Sequence, residues 1–126
     1  MTASISTGPG RALIAVYGLF SLAAGARAAV QIVAKFDQAP LAYSLSAFAA
    51  AVYIALTVAL WRGARLLALV GLGIELVGVL VIGTLSLLDE AAFPHATVWS
   101  AYGKGYGFIP LVLPVVGLYW VLRHKR

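Results

Sequence analysis

With 126 residues the chain has room for one small domain, and 63% of it is hydrophobic while only 10% is charged. Together with a mean hydropathy of +0.99, this balance excludes an ordinary water-soluble domain and fits a helical membrane protein. The formal net charge of +5 does not point to nucleic acid, because the basic residues sit at the ends of apolar runs. The absence of cysteine excludes a disulfide framework, a thiolate metal site and a cysteine nucleophile.

Residues 1–10, MTASISTGPG, are small and polar and read as a flexible cytoplasmic tail. Four apolar runs follow, at 11–34, 41–61, 64–88 and 108–122. The first three are long enough to cross a bilayer as helices, the only open-ended element lipid tolerates. Residues 123–126 form a basic cytoplasmic tail. The expected fold is an all-α membrane protein, a four-transmembrane-helix bundle within 11–122, with a longer outer loop between helices 3 and 4. Arg11, Arg62, Arg65, Arg123, Lys125 and Arg126 fall on one side, Lys35 and Lys104 on the other, with Arg27 inside the first run. The positive-inside rule then predicts both termini inside, with Asp37, Asp89 and Glu90 outside. A competing reading takes Arg11 and LIAVYGLFSLAAGARA as a secretory signal, whose cleavage would leave three helices. The apolar pattern continues through AAVQIVAKF, which favours an uncleaved helix.

Rows of small residues mark where helices can approach closely: Ser21, Gly25 and Ala29 in the first run, and Ala47, Ala51, Ala55 and Ala59 in the second. The third adds Gly71, Gly73, Gly78 and Gly83. Such rows serve packing within the chain or against a partner, and the pattern does not distinguish the two. Trp61, Tyr119 and Trp120 are expected near the inner surface. Tyr43, Trp99, Tyr102, Tyr106 and Phe108 are expected near the outer one.

The third run carries a carboxyl, Glu75, near its middle. From Arg65 to Glu75 a helix rises about 15 Å, roughly half the hydrocarbon thickness. A carboxylate at that depth is protonated, paired or facing a polar cavity. Arg27 is its candidate partner, displaced by an axial offset of about 9 Å that a bent arginine side chain can largely bridge. Gln31, one turn further on, can add a hydrogen bond. An Arg27–Glu75–Gln31 constellation reads as a polar site between helices 1 and 3 for a proton, ion or anionic head group, or as a structural pair that fixes how they dock; alternatively Arg27 snorkels outward and Glu75 is protonated.

The outer loop, DEAAFPHATVWSAYGKGYG, is long beside the other connections. It is read as a flexible re-entry or as a contact surface offering His95, Trp99, Tyr102, Lys104 and Tyr106. Residues 96–102 could form a short interfacial helix with Val98, Trp99 and Tyr102 on its membrane side. Its Gly-x-Gly-x-Gly spacing matches no phosphate-binding motif. The last run is short, and Pro110 and Pro114 break it. Either that helix starts late and the glycine stretch dips into the membrane, or it starts near Tyr102 and kinks.

His95 beside Asp89 and Glu90 is too sparse for a metal site, and no metal or other cofactor is expected. No Ser/His/Asp order, paired-carboxylate spacing or HExxH string supports an enzyme. Through FPHATVWSAYGKGYGFIPLVLPVVGLYW and ARAAVQIVAKFDQAPLAYSLS, about half the chain resembles the small four-helix integral membrane proteins of unknown function found in actinobacteria. That resemblance implies a plasma-membrane location. The function expected is that of a small non-enzymatic membrane protein acting by association, as an accessory subunit or a homo-oligomer. Its partners would be the lipid bilayer and another membrane protein or a second copy, not nucleic acid. The alternative is an oligomeric small-solute or ion transporter using Arg27 and Glu75, and a weaker one is lipid or quinone binding in a groove beside helix 4.

Overall fold

A computed structural model describes residues 8–35, 37, 40–89 and 99–123, and its regular elements are helical. Helix α1 spans Pro9–Lys35, α2 Pro40–Arg62 and α3 Arg65–Leu88. All three are long and apolar enough to cross a membrane. A 3-10 segment, Ser100–Tyr106, leads into α4, Ile109–Arg123. With 15 residues, α4 is only about 22 Å long, short of a full span.

The helix ends follow local chemistry. Helix α1 begins two residues before the expected Arg11. Gly8 turns the chain at φ +57° and its carbonyl accepts from Arg11 N–H at 2.9 Å. Pro9 then takes the first helical position, where its fixed φ fits and its missing N–H costs nothing. Helix α2 ends in a Schellman motif. Gly63 adopts φ +68°, Ala64 N–H reaches Ala59 O at 2.8 Å, and Gly63 N–H reaches Leu60 O at 3.2 Å. Two otherwise orphaned carbonyls are thereby satisfied, and the chain reverses into α3.

Helix α1 lies most extensively along α2, while α3 sits between α2 and α4. Helix α1 meets α4 only slightly and α3 hardly at all, so α1 and α3 lie across the diagonal of the bundle. The beginning of α1 and the end of α4 share one end, where Pro9, Ala12, Leu13 and Val16 face Val116, Tyr119 and Trp120 across a shallow apolar groove of about 470 Å³.

Glycines on α3 and α4 receive apolar side chains. Leu56 of α2 packs on Gly71, and Leu72 of α3 packs on Gly117; an added β-carbon would lie 2.8 Å and 2.6 Å from the leucine methyls. The expected α2 row divides. Ala59 is buried and Ala47 half-buried, but Ala51 and Ala55 face outward. The face of α2 that builds the core instead carries Ser46, Ala49, Ala50, Tyr53, Leu56 and Leu60.

Of the two expectations for the last run, the late start holds. The chain from Trp99 to Phe108 is not a continuation of α4: Ala101, Tyr102 and Gly103 have φ of 49°, 62° and 85°, and Gly107 and Phe108 are also left-handed. Helix α4 starts when the Phe108 carbonyl accepts from Leu111 and Val112 N–H, both at 3.1 Å. Pro110 lies in the first turn, and the buried Pro114 is built into the helix. The Pro110 ring fills the space above Gly103, where an added β-carbon would come within 2.7 Å of it.

Candidate functional site

Four large buried side chains, Tyr17, Tyr53, Glu75 and Trp99, bring their polar atoms together inside the bundle. Tyr17 projects from α1 and its hydroxyl donates to Glu75 Oε1 of α3 at 2.6 Å. Both residues are fully buried. This bond crosses the diagonal of the bundle, joining two helices that hardly touch through their backbones. Glu75 Oε2 is also buried and has no hydrogen-bond partner among the described residues.

The Tyr17 ring is tilted against Tyr53 of α2, with centroids 6.0 Å apart. The Tyr53 hydroxyl in turn accepts from Trp99 Nε1 at 2.9 Å. Tyr53 and Trp99 meet edge to face, with centroids 6.3 Å apart and planes at 85°. Tyr53 has no exposed surface and Trp99 only 1%. A continuous row therefore runs from Trp99 through Tyr53 and Tyr17 to Glu75. Beside it, Ser21 and Thr57 share a hydrogen bond at 3.1 Å. Each also bonds back to its own helix, Ser21 Oγ to Tyr17 O and Thr57 Oγ1 to Tyr53 O. The Ser21–Thr57 bond ties α1 to α2 one turn from each tyrosine.

Trp99 belongs to the connection between α3 and α4, yet its ring reaches Gly78 in the body of α3. A β-carbon at Gly78 would lie 2.5 Å from the indole Cζ3. Gly78 is ten residues from the end of α3 at Leu88, about 15 Å along the helix axis. Tyr102 makes the next insertion, against Gly83, and its hydroxyl pairs with Thr84 Oγ1 at 2.8 Å. Ser86 completes the attachment by donating to Gly83 O and accepting from Ala101 N–H, both at 2.8 Å. The connection is thus pinned into α3 by two aromatic rings seated on two glycines. On the outer side of Trp99 an apolar groove of about 560 Å³ opens between α2 and α3, with Phe48, Gly73, Ile74 and Val77 in its walls.

This arrangement corrects the expected constellation. Glu75 is held by Tyr17, not by Arg27, which lies on the exposed side of α1. Counting each helix from its own terminal arginine assumed a common starting level. In the packed bundle the level of Glu75 is that of Tyr17, and Arg27 is ten residues, about 15 Å, further along α1. Gln31 is buried, but its Oε1 has no partner among the described residues.

The expected outer contact set also divides. Trp99 is enclosed, so its ring is not offered to a partner, and it does not face the membrane from an interfacial helix. Tyr102 is half-buried against α3, whereas Lys104 is exposed. His95, Val98 and the Tyr106 side chain lie outside what the structure describes. Tyr43, expected in the outer aromatic belt, is only 2% exposed. Trp61, Tyr119 and Phe108 do project outward, at 66%, 62% and 45% exposure. Tyr17 and Tyr53 carry no formal charge, so the charge pattern does not point to them. A signal existed: each lies inside an apolar run, away from the interfaces where tyrosine normally sits, and a buried tyrosine hydroxyl needs a partner.

No protein-family model, curated protein or solved structure matches the chain.

Proposed function

We propose that the protein is a small, non-enzymatic plasma-membrane protein that works by association, with α2 as its contact helix. The observation that carries this reading is the outward face of α2. Ala51 and Ala55 are exposed one turn apart, with the half-buried Ala47 one turn before them, while the opposite face of the same helix builds the core. In lipid, helices gain little from apolar burial and associate where small side chains let backbones approach. A second copy of the chain, or one helix of a larger partner, fits that surface. Both termini face the cytoplasm in this reading, since six of the nine Lys and Arg residues lie at that end or in its tails.

A carrier using Arg27 and Glu75 has weaker support, because one is on the surface and the other is enclosed. Lipid or quinone binding beside α4 is supported only by the shallow groove that Tyr119 and Trp120 share with α1.

Ala51→Leu and Ala55→Leu test association. Energy transfer between donor- and acceptor-labelled copies in liposomes should fall in both variants while the monomer stays helical. If wild type shows transfer and neither leucine reduces it, α2 is not the contact. Gentle solubilisation followed by mass spectrometry distinguishes a second copy from a larger partner.

A further inference from the structure

The connection between α3 and α4 is held in a way that combines strong anchoring with strain. Ala101, Tyr102 and Phe108 are non-glycine residues in the left-handed region, a conformation that persists only when surrounding contacts enforce it. The contacts that hold it to the helices include Trp99 on Gly78 and Tyr53, Tyr102 on Gly83 and Thr84, Ala101 N–H on Ser86, and the Pro110 ring on Gly103. Withdrawing the segment breaks these contacts and relieves the strain, while α1 to α3 keep their mutual packing. Trp99 also stands at a boundary. One side of its ring lines the groove that opens between α2 and α3; its Nε1 meets Tyr53, behind which lie Tyr17 and Glu75.

We propose that Trp99, carried on the strained segment Ser100–Phe108, is a gate that closes the Glu75 carboxyl off from the lateral groove. In the closed state its indole fills the notch at Gly78 and caps the Tyr53–Tyr17–Glu75 row. In the open state the indole leaves the notch at Gly78, about one helical turn from Glu75 on α3, and the carboxyl with its unpartnered oxygen becomes continuous with the groove. This device is independent of association through α2.

Reactivity of Glu75 toward dicyclohexylcarbodiimide, an apolar reagent that adds to carboxyl groups, reads the gate. The full-length protein is reconstituted in phosphatidylcholine–phosphatidylglycerol vesicles. Labelling is located by peptide mass, because Asp37, Asp89 and Glu90 also react, and Glu75→Gln supplies the blank. Trp99→Ala removes the indole, and Gly78→Ala places a methyl where the indole sits. Both should label at Glu75 about tenfold faster than wild type if opening limits access. Rates within a factor of about two of wild type in both folded variants would overturn the gate. Should the variants not fold, hydrogen exchange of the wild type decides. A gate requires the Ala101, Tyr102, Gly107 and Phe108 amides to exchange faster than those of central α3, by an opening of their own. Exchange of both sets at one common rate sinks the proposal.

Discussion

Tyr17→Phe tests the central claim that Glu75 is held across the bundle by Tyr17. The substitution keeps the ring against Tyr53 and removes only the hydroxyl, after which both Glu75 oxygens lack a partner among the described residues, because Oε2 has none already. Two effects set the size of the loss. Orphaning a buried acceptor costs about 1–3 kcal/mol in a folded interior. Membrane proteins show less, about 0.6 kcal/mol on average and about 1.7 at most, because their unfolded helices remain in lipid and find other partners. Here the bond is 2.6 Å long and both residues are wholly buried, which places it near the upper membrane value. The expected destabilisation is about 1.4 kcal/mol, a tenfold change in the folded-to-unfolded ratio. Unfolding by sodium dodecyl sulfate in mixed micelles, followed by circular dichroism, measures it. Glu75→Leu should also destabilise, leaving the Tyr17 hydroxyl unpaired. The Tyr17→Phe/Glu75→Leu double variant should recover much of the loss, because a pair of apolar groups leaves nothing unsatisfied. A Tyr17–Glu75 coupling near zero would refute the assignment.

Three further expectations concern glycines. Gly117→Ala meets a Leu72 methyl at 2.6 Å and should destabilise by about 1–3 kcal/mol through overpacking. Gly73→Ala, with nothing within 4 Å, should be neutral or stabilise by up to about 1 kcal/mol through helix propensity; the same detergent titration compares the pair, and equal losses would contradict the packing. Gly63→Ala forces a side chain into the left-handed residue of the α2–α3 turn and should cost about 1 kcal/mol. No loss there would mean that the Schellman turn does not form.

Much of the architecture is legible without coordinates. Three apolar runs must become helices because lipid offers the backbone no hydrogen-bond partner. Gly63 between Arg62 and Ala64 stands between the second and third runs, and Pro110 suits a first helical turn, whereas Pro9, which opens α1, reads as part of the tail. The presence of Glu75 in the third run requires that something shelter it. Tyr17 and Tyr53 were readable in principle, as phenols placed away from the interfaces. What shelters Glu75 is another matter. Rise per residue fixes positions along one helix but not the offset between two helices, and that offset is set by how Leu56 fits Gly71, Leu72 fits Gly117 and Trp99 fits Gly78. Small rows on α2 could likewise be seen, yet their period does not say which of them turns inward; the packing buries Ala59 and leaves Ala51 and Ala55 outside. The sequence by itself determined the helices, their turns and the need for a partner to a buried carboxyl, because those follow from local backbone chemistry and from lipid as solvent. Only the tertiary structure decided that the partner is Tyr17 and that Trp99 folds back into α3, because both depend on side chains from four segments filling one shared interior.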